Sequence, residues 1–128
     1  MAAGGVPRMS KDELKQRLSE PDLTIIDLRL NYDQSRLTIP RAKRENPQHV
    51  DSWAGGYDKT QPMILYCSSP NEQTSAEAAA GLIELGFSKV FVLRGGWVVW
   101  QSSNFPVHDK LVDSRPHGVV TRILKDEI

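Results

Sequence analysis

Three short runs of aliphatic residues constrain this chain more than any other feature. Leu23-Thr24-Ile25-Ile26-Asp27-Leu28, Met63-Ile64-Leu65-Tyr66 and Val90-Phe91-Val92-Leu93 are nearly unbroken apolar stretches rather than alternating ones. Each therefore reads as a strand buried on both faces. Between the second and third lies Thr74-Ser75-Ala76-Glu77, a capping-box pattern. It predicts a helix opening at Thr74 and running through Ala79, Leu82, Ile83 and Leu85 to a stop at Gly86. Strand, helix, strand with continuous apolar strands is the pattern of a parallel sheet covered on both faces, so the fold class is α/β.

The remaining elements are shorter. Ser10-Lys11-Asp12-Glu13 is another capping box, with Met9 and Leu14 at the staple positions and a helix expected to about Ser19. Residues 29–46 read as polar and irregular, with Ile39-Pro40 as a turn. Asn46 is placed to cap a brief helix with Pro47 at its first position, anchored by Val50 and Trp53. Gly95-Gly96 turns the chain into a short helix carrying Trp97 and Trp100, and all three tryptophans read as core or rim rather than a stacking platform. Residues 1–8 read as a flexible leader, 9–107 as the domain, and 108–128 as an extension. Within that extension, Val119 to Leu124 has strand propensity suited to a sheet edge.

Composition removes several function classes. With 128 residues the chain supports a single domain. No apolar stretch reaches the ~18 residues of a membrane span. The charges balance, 16 basic against 16 acidic, which argues against a general nucleic-acid or anionic-membrane binder. One cysteine excludes an internal disulfide and Cys-x-x-Cys chemistry, and fits a reducing, cytoplasmic setting. His49, His108 and His117 lack metal-ligand spacing, so no metal is expected.

Cys67 stands where a parallel strand ends and a helix is about to begin. Ligand sites of open α/β sheets gather at the carboxyl ends of strands. There the unpaired N–H groups of a helix terminus attract anions and favour thiolate over thiol. A lone cysteine is more often a small buried hydrophobe. The flanking Ser68, Ser69, Pro70, Asn71 and Glu72 argue against an apolar pocket.

The chain resembles the single-domain rhodanese family over roughly residues 9–107. The matching pieces, in order, are Ile25-Ile26-Asp27-Leu28-Arg29, Ile39-Pro40 with Ala42, Ile64-Leu65-Tyr66-Cys67, Ser75-Ala76-Glu77-Ala78-Ala79, Leu85-Gly86-Phe87, and Leu93-Arg94-Gly95-Gly96 with Trp100 and Phe105-Pro106-Val107. The resemblance implies a five-stranded parallel sheet flanked by helices. It also implies a cysteine thiolate that takes sulfur from a sulfane donor such as thiosulfate, becomes a persulfide, and passes the sulfur to a thiol or cyanide acceptor, the thiol belonging to a small molecule or a protein. Carried over, Cys67 is the nucleophile, and Ser68, Ser69, Pro70, Asn71, Glu72, Gln73, Thr74 and Ser75 form the substrate loop. Asp27 and Arg29 pin the neighbouring loop. No cofactor and no metal are implied.

This chain also departs from the family pattern. Counted to Thr74, the loop holds eight residues instead of the usual six and contains no Lys or Arg. Glu72 adds a negative charge that would repel thiosulfate. Cys-Ser-Ser-Pro-Asn-Glu is similar to a rhodanese-like subgroup with a Cys-x-Cys-Pro-Asn-Glu loop, with Ser69 in place of the second cysteine. Arg41 replaces the glycine of the usual Ile-Pro-Gly-Ala turn. A phosphatase would need an Arg to clamp equatorial oxygens at the end of the loop, where this chain has Gln73, Thr74 and Ser75, so that activity is rejected. The alternative to a sulfurtransferase is a catalytically weak binding or redox- and persulfide-sensing module. Arg36, Arg41, Lys43 and Arg44 form a basic run that would supply the missing positive field if folding brought it over the loop.

Overall fold

The computed structural model describes residues 5–68, 71–113 and 121–122. Ser69 and Pro70 of the loop, His117, and Val119, Val120, Ile123 and Leu124 of the extension lie outside the described residues. The elements are β1 (Arg8–Met9), α1 (Lys11–Gln16), β2 (Thr24–Asp27), β3 (Leu37–Thr38), β4 (Lys43–Arg44), α2 (Val50–Trp53), β5 (Met63–Tyr66), α3 (Gln73–Glu84), β6 (Val90–Leu93), α4 (Gly96–Ser102), β7 (Val107–Asp109), α5 (Lys110–Asp113) and β8 (Thr121–Arg122).

Five strands form one sheet in the order β1-β6-β5-β2-β4, and every pair in it is parallel. The expected central strands are all present, with β5 and β6 at their expected bounds. Side chains alternate across the sheet, as the pleat requires. Ile25, Ile64, Tyr66 and Leu93 face one way, packed with Leu14 of α1 and with Trp97 and Trp100 of α4. Ile26, Met63, Leu65, Val90 and Val92 face the other way, against Ala76, Ala79 and Leu82 of α3, with Val50 and Trp53 of α2 at the margin. Two apolar layers thus bury the sheet from both sides, as the unbroken strand sequences imply. A small antiparallel sheet, β3-β7-β8, sits apart from it.

The structure corrects the expected boundaries in four places. The stretch read as a leader enters the sheet: Arg8 and Met9 pair with Val92 and Leu93, and Val6 is buried. Residues 29–46 contain two strands, each too short to show a periodicity. The domain does not stop at Val107, because β7 runs on to Asp109 and pairs with Leu37 and Thr38. Helix α1 ends at Gln16, before Ser19. The Ser10 cap holds, its Oγ accepting from the Glu13 amide, while the Glu13 carboxylate takes Arg17. Asn46 caps the turn into α2 as expected, its Oδ1 accepting from Gln48 N at 2.9 Å.

Arg41 resolves the turn that lacks its glycine. Its φ of 69° is left-handed, a conformation costing a side-chain-bearing residue ~1 kcal/mol. Its guanidinium donates to the carbonyls of Leu18 at 2.6 Å and Leu23 at 2.9 Å, which offsets the strain.

Candidate active site

Cys67 follows the last residue of β5, the central strand, and lies at the carboxyl edge of the sheet. The residue is buried, at 2% exposure, yet it belongs to neither apolar cluster. Its Sγ lies 3.3 Å from the Oγ of Ser75, itself fully buried in the first turn of α3. The Ser75 hydroxyl also lies 3.2 Å from the Glu72 carbonyl, so one side chain joins the sulfur to the entry of the helix. The Cys67 carbonyl accepts from the Trp97 amide at 2.9 Å, anchoring the loop to α4.

The expected capping box at Thr74 is not formed. Helix α3 runs from Gln73 with Glu72 at the cap position, two residues before the expected cap, and Thr74 lies inside its first turn. Asn71 does the capping, its Oδ1 accepting from Gln73 N at 3.2 Å, and Glu77 pairs with the Gln73 side chain at 3.3 Å instead. The loop from Cys67 through Glu72 therefore holds six residues, not eight. The reason lies in Glu72, whose φ of 66° reverses the chain sharply enough to start the helix early.

Glu72, expected to repel an anionic donor, is paired rather than free. It is buried, at 8% exposure, and both carboxylate oxygens are engaged. Oε1 accepts from Arg8 Nε at 2.7 Å and Oε2 from the Gly95 amide at 2.7 Å. The charge is neutralised and ties β1 and the turn before α4 to the loop. That turn requires glycine: Gly95 has φ 80°, and a Cβ there would come within 2.1 Å of Val99 Cγ2. Sequence reasoning missed Arg8, since one arginine in a stretch read as a leader carries no periodic signal.

Asp27 and Arg29 form the second wall, and both are essentially without solvent exposure. Arg29 Nη2 donates to Asp27 Oδ2 at 2.7 Å and to the Leu37 carbonyl at 2.9 Å, while Nη1 reaches Ser35 Oγ at 3.0 Å. The guanidinium stacks 4.5 Å from the Trp97 ring. The Tyr66 hydroxyl donates to Asp27 Oδ2 at 2.8 Å and accepts from the Ile39 amide at 3.2 Å. Burial, with the Asp27 charge beside it, holds the Tyr66 phenol well above its ordinary value of 10. This network fixes the loop after β2. From that loop Asn31 Oδ1 accepts from Ser68 Oγ at 2.6 Å, which reaches back to the residue after the cysteine.

Of the residues named from sequence, Cys67, Ser68, Asn71, Glu72, Gln73, Thr74 and Ser75 lie on this one loop and helix turn, with Asp27 and Arg29 beside it. Asn71 and Gln73 are exposed, Thr74 is half-buried, and Ser75 is buried. Most of the basic run is spent elsewhere. Arg36 pairs with Asp109 at 2.7 Å, Arg41 with two carbonyls, and Lys43 lies 5.6 Å from the Tyr57 ring. Among the described residues no helix is long and apolar enough to cross a membrane.

Comparison with known proteins agrees with this arrangement. The family model for the rhodanese-like domain matches residues 10–103. A sulfurtransferase of Allochromatium vinosum is 26% identical over 103 residues, covering 80% of this chain and 94% of that protein. The thiosulfate sulfurtransferase GlpE of Pseudomonas fluorescens is 30% identical over 94 residues, covering 73% of this chain and 84% of that one. Among solved structures, the rhodanese-like domain of the Anabaena protein Alr3790 superposes with a TM-score of 0.71 at 26% identity, covering 91% and 92% of the two chains. With its parallel sheet, its strand-end cysteine and this matched span, the chain belongs to the rhodanese-like domain family.

Proposed function

We propose that this protein is a sulfurtransferase in which Cys67 carries sulfur as a persulfide. The thiolate attacks the outer sulfur of a sulfane donor R–S–SH, and a new S–S bond forms on Cys67 as the donor's S–S bond breaks. The donor leaves as R–S⁻ and is reprotonated. An acceptor thiol then attacks the terminal sulfur and Cys67 returns as thiolate, so no oxidant or reductant is consumed. Reduced surroundings such as the cytoplasm suit this cycle, because they keep the thiol available.

The observation carrying the proposal is the 3.3 Å approach of the Cys67 sulfur to the Ser75 hydroxyl in the first turn of a 12-residue helix. A helix terminus places N–H groups and positive potential where a sulfur anion needs them. The Ser75 hydroxyl, which donates to the Glu72 carbonyl at 3.2 Å, can turn its one proton to the sulfur once the thiol ionises. The 30% identity to a thiosulfate sulfurtransferase is consistent with this chemistry. With its charge held by Arg8 and the Gly95 amide, Glu72 presents no obstacle to an anionic donor. The Cys-Ser-Ser-Pro-Asn-Glu loop is similar to that of a rhodanese-like subgroup with a second loop cysteine, and Ser69 in its place supports transfer through a single thiol.

One observation favours a second reading, a binding or persulfide-sensing module: Cys67 is only 2% exposed. Incubation with thiosulfate or an organic persulfide, followed by intact-mass analysis, separates the two. Sulfur transfer gives a 32 Da adduct that is absent in Cys67→Ser and is discharged by an added thiol with turnover. A protein that gains no adduct from any sulfane donor is the binding module.

A further inference from the structure

The substrate loop contains no cation, yet the proposed donors are anions. We propose that Arg44 and Lys110, gathered on the Tyr32 ring at the carboxyl edge of the sheet, form an anion subsite that takes the carboxylate of a small sulfane-sulfur donor. The inference rests on the sulfurtransferase reading for the identity of the ligand, though not for the existence of the subsite.

The two cations come from opposite parts of the chain. Arg44 ends β4 and places its Cζ 5.1 Å from the Tyr32 ring centroid. Lys110 opens α5 and places its Nζ 3.8 Å from the same centroid. Together these distances hold the two charges within about 9 Å of each other. Each is oriented by one carbonyl: Arg44 Nη1 donates to Asp27 O at 3.1 Å, and Lys110 Nζ to Tyr32 O at 2.8 Å. Those bonds leave further N–H donors on both groups.

Neighbouring arginines are spent on other groups. Arg29 is consumed by Asp27, Arg36 by Asp109, Arg8 by Glu72, and Arg41 by the carbonyls of Leu18 and Leu23. Among the described residues no carboxylate pairs with Arg44 or Lys110. Of the acids whose charge acts on Tyr32, Asp27 is held by Arg29 and Asp33 is exposed. Two half-buried cations on one aromatic ring, with no counter-charge among the described residues, are an arrangement that a carboxylate completes through charge-assisted hydrogen bonds.

The strand that carries Arg44 lies two strands from the one that ends at the cysteine. Arg44 pairs in register with Asp27, and Asp27 with Tyr66, the residue before Cys67. Two strand spacings put the Arg44 backbone ~10 Å from that of Tyr66. The hydrogen bond from Ser68 to Asn31 joins the cysteine's loop to the turn that carries Tyr32. A tripeptide thiol with a central cysteine holds its terminal carboxylates at two residues' reach, ~7 Å, from the sulfur. The ligand class is therefore a peptide-sized thiol persulfide with a terminal carboxylate.

Glutathione and its diethyl ester, which lacks both carboxylate charges, serve as probes. In Cys67→Ser, which binds without reacting, glutathione is titrated while the amide resonances of Tyr32 and Arg44 are followed. The subsite predicts that glutathione shifts them, that the ester binds at least tenfold more weakly, and that R44Q/K110Q weakens glutathione tenfold or more. The charge-preserving R44K/K110R should restore binding to within about threefold, which a merely unfolded variant would not do. With Cys67 present, R44Q/K110Q should cut the preference for the acid persulfide over the ester persulfide, read as a ratio of kcat/KM, by tenfold or more. Equal binding of acid and ester, or glutathione binding unchanged in R44Q/K110Q, overturns the inference. If the wild-type protein gains no 32 Da adduct while glutathione still shifts Tyr32 in a charge-dependent way, the subsite stands and the sulfurtransferase reading fails.

Discussion

Asp27 accepts from the Arg29 guanidinium through both carboxylate oxygens and from the Tyr66 hydroxyl, all with no solvent exposure of its own. Removing one partner of such a pair strands the other charge in a medium that solvates it poorly. Asp27→Asn should therefore lower unfolding stability by ~3–5 kcal/mol in denaturant titrations. A loss below 1 kcal/mol would show that Arg29 finds another partner. At this scale the sequence was legible where a residue sits at a fixed offset from a strand end. Asp27, Arg29 and Cys67 all do, and all converge on one rim. Arg8 was not legible, because its significance comes from Glu72, 64 residues away.

Between elements, the Arg8–Glu72 pair is the main link, joining the edge strand β1 to the loop that holds the sulfur. Its side chains are mostly buried, at 16% and 11% exposure, so it should contribute more than a surface ion pair. A double-mutant cycle with Arg8→Gln and Glu72→Gln should return a coupling energy of ~1–3 kcal/mol. Strictly additive losses would show that the two side chains act independently. The central strands were readable because each is a short apolar run of β-branched, aromatic and aliphatic residues bounded by turn signals. The two-residue strands β3 and β4 were not, because nothing so short has a period. The start of α3 was misplaced by two residues because Thr74-x-x-Glu77 satisfies the capping rule on paper, while the left-handed Glu72 and the Asn71 side-chain oxygen claim that role in space.

For the molecule as a whole, tyrosine ionisation sets the alkaline limit. Tyr66 and Tyr57 are raised chiefly by burial and then by the carboxylates of Asp27 and Glu45, and Tyr32 is raised by burial and Asp27. These are the only tyrosines in the chain. Below the ordinary value of 10 both folded and unfolded chains carry neutral phenols, and the stabilisation is complete. Above it the unfolded chain loses phenolic protons that the folded chain retains, so stability falls as pH climbs. Absorbance near 295 nm should show tyrosinate appearing only together with unfolding, and Tyr66→Phe should flatten the alkaline limb. Tyrosinate signal in a still-folded protein near pH 10 would contradict this.

Both margins of the parallel sheet, β1 and β4, expose only two paired residues each. A neighbouring chain seeking to extend the sheet would meet almost no ladder of bare peptide groups to copy. The strongly apolar β5 and β6, which would be the segments most inclined to stack into fibrils, stay shielded behind these stubs.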